Sequence, residues 1–157
     1  MSELQPDPGS QLTGVLRLYT DGAARGNPGP AGLGVVIEDE NGLRLRGLCR
    51  YIGTATNNVA EYLALIEGLT AVGEWQPERV EVYLDSKLVV EQVRGSYRVK
   101  NAALVPLHAR ATQLLAALPK AEIRHVARER NKGADALANR AIDDWKGERA
   151  GPQQTVK

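Results

Sequence analysis

The first regular pattern in the chain is an alternation of apolar and polar residues over Leu16-Arg17-Leu18-Tyr19-Thr20. A period of two with β-branched and aromatic residues predicts a half-buried strand. The pattern ends at Asp21-Gly22, so this strand carries a carboxylate to one edge of the predicted sheet. A hairpin turn is the simpler interpretation of an isolated Asp-Gly between two strands, and it stays open for Asp21 taken alone.

Glycine and proline dominate residues 23–34, after this strand. Because such a composition disfavours helix and regular strand, we expect a shaped loop that turns the chain back into Val35-Val36-Ile37. Alternation then predicts a second strand over Gly32–Asp39, a turn at Glu40-Asn41-Gly42, and a third strand over Leu43–Ile52. Three consecutive short strands predict an antiparallel meander.

The period changes to that of a helix after residue 57. Apolar residues from Ala60 to Val72 cover a wide helical face, which predicts a helix from Asn58 to about Gly73, capped by Asn57 or Asn58. The remaining predicted elements are a fourth strand over Arg79–Asp85, a short helix over Ser86–Arg94, a long helix over Asn101–Leu118, a fifth strand over Glu122–Val126, a polar loop over Ala127–Lys132, and a last helix from Gly133 to about Trp145.

This order of elements predicts an α/β fold with one mixed five-stranded sheet, in which three antiparallel strands are followed by two further strands and helices pack on the sheet. We place the domain at residues 14–146. A flexible N-terminal tail is expected over residues 1–13 and a flexible C-terminal tail over residues 147–157.

Composition narrows the class of protein only slightly. The chain has 157 residues, of which 43% are hydrophobic and 25% charged, as expected of one globular domain. A net charge of +1 gives no bulk attraction for nucleic acid but permits a local basic groove. Cys49 is the single cysteine, which excludes an internal disulfide and a cysteine-based zinc site. With no signal-like N-terminus and no apolar window of membrane-spanning length, we expect a cytoplasmic protein.

Four carboxylates lie at the ends of predicted elements: Asp21, Glu61, Asp85 and Asp135. Each has a simpler interpretation by itself. Glu61 follows Asn58 at the spacing of a capping box, Asp85 precedes Ser86 like a helix cap, and Asp135 suits the positive end of a helix dipole. Element ends are, however, where side chains from separate segments converge in a cleft.

A joint interpretation of the four acids is chemically stronger. Clustered carboxylates repel one another unless cations neutralise them. Mg²⁺ prefers oxygen ligands, and two such ions about 4 Å apart stabilise both the attacking and the leaving oxygen of a phosphodiester displacement. That chemistry needs several acids and no nucleophilic side chain. The sequence therefore predicts a divalent-metal site.

Four segments, in order, resemble the signature segments of type 1 ribonuclease H. They are Thr20-Asp21-Gly22 with Gly26-Asn27-Pro28-Gly29-Pro30, Thr56-Asn57-Asn58-Val59-Ala60-Glu61, Leu84-Asp85-Ser86, and Asn131-Lys132-Gly133-Ala134-Asp135-Ala136-Leu137-Ala138. The resemblance extends over about residues 15–143 and implies a ribonuclease H-like fold. It also implies largely sequence-independent, endonucleolytic hydrolysis of the RNA strand in an RNA–DNA hybrid, leaving 5′-phosphate and 3′-hydroxyl ends.

The same resemblance implies roles for individual residues. Asp21, Glu61, Asp85 and Asp135 are expected to be the catalytic, metal-binding acids, with two Mg²⁺ ions per site when substrate is bound and Mn²⁺ as a substitute. The expected substrate-binding residues are Gly22, Asn27, Thr56, Asn57, Asn58 and Ser86. Short amides, hydroxyls and backbone N–H groups suit an enzyme that binds phosphates and 2′-hydroxyls rather than base edges. Loop and helix-cap chemistry is the simpler alternative, notably for Asn57.

The sequence departs from the family in the loop before the last helix, where many members have a histidine. Here the loop is Ala127-Arg128-Glu129-Arg130-Asn131-Lys132. We expect Arg128 or Arg130 to bind the scissile phosphate instead, since a guanidinium forks onto phosphate oxygens but cannot act as a base near neutral pH. The pH dependence should differ accordingly. His108 and His125 fall in a helix and a strand and are interpreted as non-catalytic.

The region between Asp85 and Asp135 is short and lacks the basic protrusion of longer relatives, as in the archaeal-like subgroup of the family. Arg94, Arg98 and Lys100 surround Tyr97 there, either as a reduced phosphate-contact loop or as a solvated connector. Double-stranded RNA stays open as a second substrate, and a monomer is expected.

Two alternatives to an active ribonuclease stay open. They are a non-cleaving hybrid-binding domain, although no acid is missing, and a fragment of a reverse-transcriptase-like protein. A nucleotide-binding glycine loop is excluded, because this loop leads into a strand.

Overall fold

The computed structural model describes the backbone of residues 14–155 and the side-chain environment of residues 14–148. The predicted N-terminal tail, residues 1–13, lies outside the described residues. The elements are β1 (Val15–Ala24), β2 (Gly29–Asp39), β3 (Arg44–Ala55), α1 (Asn57–Gly73), β4 (Arg79–Leu84), α2 (Lys87–Arg94), α3 (Val105–Ala116), β5 (Ala121–His125), a 3₁₀ turn (Arg128–Arg130) and α4 (Lys132–Thr155).

The five strands form one sheet in the order β3-β2-β1-β4-β5. β1, β2 and β3 pair antiparallel, whereas β4 is parallel to β1 and β5 is parallel to β4. The predicted mixed five-stranded sheet is therefore confirmed. Since β1 and β4 are parallel neighbours, their carboxyl ends meet at the same edge of the sheet.

Helices α1 and α4 pack on opposite faces of this sheet. Leu18 and Thr20 of β1 lie against Gly68 of α1, and they belong to the face that carries the main apolar core. On the other face, Gly32 and Gly34 of β2 lie directly beneath the backbone of α4. The two helices thus bring their N-terminal turns to the edge where β1 and β4 end.

The glycine-rich segment after β1 is mostly strand, so the prediction of a long shaped loop was wrong. β1 continues to Ala24 and β2 begins at Gly29, which leaves only residues 25–28 as the loop. The physical reason is packing. A Cβ at Gly34 would overlap the backbone carbonyl of Ala134, so glycine is the residue that lets α4 approach β2.

Two helix starts also differ from the prediction. Thr56, rather than Asn57 or Asn58, is the N-cap of α1, and its hydroxyl accepts a hydrogen bond from the Val59 amide at 3.2 Å. α3 begins at Val105 rather than Asn101. Asn101 instead accepts the Ala103 amide at 2.8 Å through its side chain, which stabilises a turn before the helix.

The last helix is longer than predicted, since it does not end at about Trp145, whereas the domain bounds of 14–146 stay a prediction. α4 continues to Thr155 and so includes residues 147–155, which the prediction assigned to a flexible tail. Lys146 and Glu148 have high helix propensity and Gly147 costs only about 1 kcal/mol, so the helix passes this position, whereas nothing local explains its continuation through Gly151 and Pro152, which disfavour a helix interior. None of the helices described here is both long and apolar enough to cross a membrane.

The close approach of α4 to β2 generates a stability prediction. Gly34→Ala should lower the free energy of unfolding by about 1–3 kcal/mol, because the new methyl group has no room beneath α4. Gly147→Ala is the matched control. Position 147 has open space and lies within α4, so alanine there should raise the free energy of unfolding by up to about 1 kcal/mol.

Urea unfolding followed by circular dichroism, with EDTA present, measures both variants. A Gly34→Ala protein as stable as wild type would contradict the packing described for the two elements.

Candidate active site

Four acids from four separate segments meet where β4 ends beside β1. Asp21 is in β1, Asp85 directly follows β4, Glu61 is in α1, and Asp135 is in the first turn of α4. Carboxylate oxygens of Asp21, Glu61 and Asp85 lie within 4.8 Å of one another. Asp135 lines the same cleft, which has a volume of about 400 Å³.

The contact of Glu61 with β1 explains its position. Its carboxylate accepts a hydrogen bond from the Gly22 amide at 3.3 Å, so the capping-box interpretation was wrong. The sequence predicts Glu61 in the first turn of α1. With Thr56 as the N-cap, Glu61 instead lies beyond that turn. A Cβ at Gly22 would overlap the backbone of Ala60, so this glycine permits the close approach of α1.

Asp85 is held by a residue to which the sequence analysis assigned no role. The Asn131 amide donates to Asp85 Oδ2 at 3.2 Å and to the Thr20 carbonyl at 3.0 Å. Its side chain is only 1% exposed. The available signal was an asparagine directly before a helix, which cap chemistry explains equally well. Ser86, not Asp85, caps α2 by accepting the Val89 amide at 3.3 Å.

Burial and mutual repulsion disfavour the charged forms of two of the acids. Burial raises the pKa of Asp21 to about 10, with further increases from the negative charges of Glu61 and Asp85. Burial raises the pKa of Glu61 to about 8, and Asp85 contributes in the same direction. The hydrogen bond from Gly22 and the charge of Arg128 oppose this rise only in part. The cluster therefore carries an uncompensated cost when all its members are ionised.

The donor set fits a divalent cation. Between residues 14 and 148, no arginine or lysine forms an ion pair with any of the four acids. The cluster offers only oxygen ligands, which suit Mg²⁺ and Mn²⁺ and not a metal that prefers sulfur or imidazole. A hard cation among these oxygens would remove the repulsion that raises the two pKa values.

Two predicted substrate-binding residues connect the segments beside the cleft. The Asn27 side-chain oxygen accepts the Asn57 amide N–H at 3.0 Å, and the Asn57 side-chain oxygen accepts the Ala24 N–H at 3.2 Å. Both asparagines are exposed. Because both side chains use their oxygen in these contacts, each Nδ2 group remains available as a donor to an incoming acceptor.

The predicted substrate-binding residues other than Asn27 lie in three places. Gly22, Asn57, Ser86 and Arg128 line the cleft beside the acids. Thr56 caps α1, and Asn58 is half-buried in the first turn of that helix. Arg130 lines a different, smaller cavity together with Tyr19 and Glu38.

The two histidines lie elsewhere. His108 contacts the Gln92 carbonyl through its ring nitrogen at 2.9 Å, and His125 is exposed at the end of β5. Neither lines the cleft.

Comparison of the chain with known proteins gives two kinds of match. A family model described as reverse transcriptase-like matches residues 19–141. Ribonuclease HI of Halobacterium salinarum is 42% identical over 142 residues, which cover 90% of this chain and 69% of that protein. The bifunctional protein Rv2228c of Mycobacterium tuberculosis is 44% identical over 127 residues, which cover 80% of this chain but 35% of that protein.

Solved structures show the same relationship in three dimensions. The crystal structure of RNase H1 from H. salinarum matches with a TM-score of 0.81 and 42% identity, covering 83% of this chain and 99% of that one. LC11-RNase H1, crystallised in complex with an RNA/DNA hybrid, matches with a TM-score of 0.79 and 45% identity over 82% of this chain and 97% of its own. Identity of this level over most of the chain, on the same fold, means that the protein belongs to the type 1 ribonuclease H family of hydrolases.

Proposed function

We propose that the protein is a divalent-metal-dependent endoribonuclease that hydrolyses the RNA strand of RNA–DNA hybrids. The observation that carries the proposal is the cluster of Asp21, Glu61 and Asp85, whose carboxylate oxygens lie within 4.8 Å in a cleft that Asp135 also lines. A relative of the same fold has been crystallised with such a hybrid. A non-cleaving hybrid-binding domain would not need to retain four acids in one cleft, two of which, Asp21 and Glu61, are buried at a cost to the free protein.

The four acids would hold Mg²⁺, with Mn²⁺ as a substitute, and we propose two ions in the substrate complex. Bound there, the metal would supply an activated water and would stabilise the charge that develops on phosphate oxygens. The proposed products carry 5′-phosphate and 3′-hydroxyl ends. The protein's part is to preorganise its ligands. The Gly22 amide holds the carboxylate of Glu61, and Asn131 holds that of Asp85.

Side chains beside the cleft would bind the sugar–phosphate backbone without reading base sequence. The Asn27 oxygen accepts the Asn57 backbone N–H and the Asn57 oxygen accepts the Ala24 N–H, so both side chains are oriented with Nδ2 free to donate at the surface. Ser86, with Thr56 and Asn58 at the start of α1, extends the polar rim of the cleft. Such groups recognise phosphates and 2′-hydroxyls, which accounts for a preference for RNA over DNA in the cleaved strand.

We expect the Arg128 guanidinium to bind a substrate phosphate group near the acids. It is exposed, lines the cleft, and lowers the pKa of Glu61 through its charge, which indicates proximity to the cluster. Arg130 is also exposed but contributes to another cavity.

Activity on double-stranded RNA, a monomeric state and a cytoplasmic location stay predictions from the sequence.

The first test is cleavage itself. An end-labelled RNA–DNA hybrid, a double-stranded RNA and a DNA duplex are each incubated with the protein and Mg²⁺ or Mn²⁺. The hybrid's RNA should be cut with either metal and remain intact with EDTA. Asp85→Asn should lower the rate at least about 100-fold, since losing one group that stabilises transition-state charge costs about 10²–10³ in kcat.

The matched control for Asp85→Asn is Asp144→Asn, which makes the same chemical change on the exposed side of α4 and should cleave like wild type. Intact hybrid with both metals would refute the proposed function, and cleavage by Asp85→Asn at the wild-type rate would refute the assigned site.

A second prediction concerns the two arginines. Arg128→Gln should weaken hybrid binding and reduce the slope of log K against log salt concentration by about 1, because one phosphate contact is lost. Arg130→Gln, which removes the same charge outside the cleft, should leave that slope unchanged. Fluorescence anisotropy with a labelled hybrid in EDTA, over a series of salt concentrations, measures both. Equal slopes in the two variants would contradict the position given to Arg128.

A third prediction follows from the raised pKa values of Asp21 and Glu61. Because the folded state holds these protons more tightly than the unfolded chain, their protonation stabilises the metal-free protein fully below about pH 4. This stabilisation is lost as the pH rises through about 8 for Glu61 and about 10 for Asp21. Asp21→Asn should therefore raise the melting temperature in EDTA, by roughly 5 °C at pH 9 and by little at pH 4.

Calorimetry at a series of pH values measures this effect. Glu129→Gln, an exposed acid outside the cluster, is the control and should shift the melting temperature by about 1 °C or less. For the same reason Mg²⁺ should raise the wild-type melting temperature more at pH 9 than at pH 5. Destabilisation by Asp21→Asn at pH 9 would show that the acids do not repel one another as described.

A further inference from the structure

A chain of hydrogen bonds connects Arg25, in the loop after β1, to Asp135 in the cleft. Arg25 Nη2 donates to the side-chain oxygen of Asn139 at 3.1 Å and to its backbone carbonyl at 3.3 Å. Arg25 Nη1 forms an ion pair with Asp143 at 2.7 Å. Asn139 Nδ2 in turn donates to Asp135 Oδ1 at 3.2 Å and to the Asp135 carbonyl at 3.0 Å.

Arg25 decides which end of the Asn139 amide faces Asp135. A guanidinium only donates hydrogen bonds, so the group that it contacts on Asn139 has to be the oxygen. The Nδ2 group is then left on the side of Asp135, where a carboxylate accepts it. A reversed amide would place two donors together at Arg25 and two acceptors together at Asp135, and both contacts would be lost.

A side-chain amide donates to the carboxylate of Asp135, as Asn131 donates to that of Asp85. Asp21, Glu61 and Asp85 form a compact group within 4.8 Å, in which Gly22 holds Glu61 and Asn131 holds Asp85. Asp135 is not a member of that group, but it lines the same cleft, and its carboxylate is in hydrogen-bonding contact with the carboxyl of Asp21. The Asn139 amide donates to the same carboxylate from the other end of its contact with Arg25.

The same loop carries a proposed substrate contact. Arg25 is separated by one residue from Asn27, whose side chain accepts the Asn57 amide at the start of α1. The Arg25 guanidinium therefore ties this loop to α4, while Asn27 ties it to α1. One short loop of residues 25–28 is fixed to both helices that deliver acids to the cleft.

We propose that Asn139 is a positioning residue for Asp135 and that Arg25, anchored by Asp143, holds Asn139 in the orientation that donates. The link to hydrolysis rests on the proposed function, whereas the contacts themselves can be tested without it. Lysine cannot replace Arg25, because one ammonium group does not bridge Asp143 and both oxygens of Asn139 in a fixed fork.

Steady-state kinetics of hybrid cleavage provide the first test. Asn139→Leu keeps the size of the side chain and removes its hydrogen bonds, and Asn139→Asp keeps the acceptor for Arg25 but replaces the donor by a repelling carboxylate. Both should lower kcat about 10- to 100-fold, as expected for residues that orient metal ligands. KM for the hybrid should stay within about twofold, because neither change touches the rim that binds the backbone.

Ala136→Leu is the matched control, since it adds the same apolar side chain to the exposed side of the same helix turn and should keep the wild-type kcat. A role in packing alone predicts that the nearly isosteric Asn139→Asp is tolerated. Wild-type kcat in both Asn139 variants would overturn the proposal.

The second test is independent of activity. In ¹H–¹⁵N spectra of the metal-free protein, the side-chain amide of Asn139, assigned from its loss in Asn139→Leu, should be dispersed and protected from exchange. Arg25→Ala and Asp135→Asn should each move this signal toward the position of a free amide, and Ala136→Leu should not. A signal that neither variant moves would overturn the proposal.

The two tests separate this inference from the proposed function. If the wild-type protein leaves the hybrid intact, the proposed function fails, and the amide signal still decides whether Arg25 and Asp135 fix Asn139. If the wild type cleaves and the Asn139 variants cleave equally well, only the inference about positioning fails.

Discussion

Electrostatic repulsion among buried carboxylates is the constraint on which the functional part of this structure depends. Asp21 and Glu61 are 5% and 9% exposed, and burial disfavours their charged forms. A fold that only needed to be stable would place apolar residues there. The surrounding structure holds the acids in place through directed hydrogen bonds, from Gly22 to Glu61 and from Asn131 to Asp85. The arrangement gains stability when protons or a cation neutralise it, which makes proton binding, metal binding and folding energetically linked.

Glycine makes this convergence possible by letting helices approach strands. The absence of a side chain at Gly22 leaves room for the backbone of α1, and its absence at Gly34 leaves room for that of α4 on the opposite face of the sheet. These two helices carry Glu61 and Asp135, and the parallel pairing of β1 with β4 brings Asp21 and Asp85 to the same edge of the sheet. The first turn of α4 and the second turn of α1 then lie across the end of β1. The cleft is thus a consequence of sheet topology and of backbone contact, and the acids are held on regular elements rather than on long loops.

Much of the fold and of the acid cluster was predictable from the sequence, because the periodicity of apolar residues predicts each element and the order of the elements predicts the sheet. Alternation correctly located Asp85 at the end of β4 and Asp21 in β1, although β1 continues beyond Asp21 to Ala24, and the order of elements predicted the mixed sheet. The errors have a common cause. The composition of residues 23–34 was interpreted as that of a loop, although residues 23–24 and 29–31 belong to strands, because local composition does not reveal that a helix packs against a glycine-rich strand. Glu61 was placed in the first turn of its helix, because Thr56 and Asn58 are both credible caps. Asn131 gave only the ambiguous signal of an asparagine before a helix, and Asn139 gave none, because their roles depend on contacts with Thr20, Asp85 and Arg25, far away in sequence.

We propose that these carboxylates form one metal site. A crystal of the protein soaked in Mn²⁺, with anomalous difference maps calculated from data collected near the manganese edge, tests this directly. We expect an anomalous peak within bonding distance of oxygens of Asp21, Glu61 and Asp85, and no such peak in crystals of Asp85→Asn soaked in the same way. An empty cluster in the wild-type crystal, or manganese bound only at other acids, would contradict it.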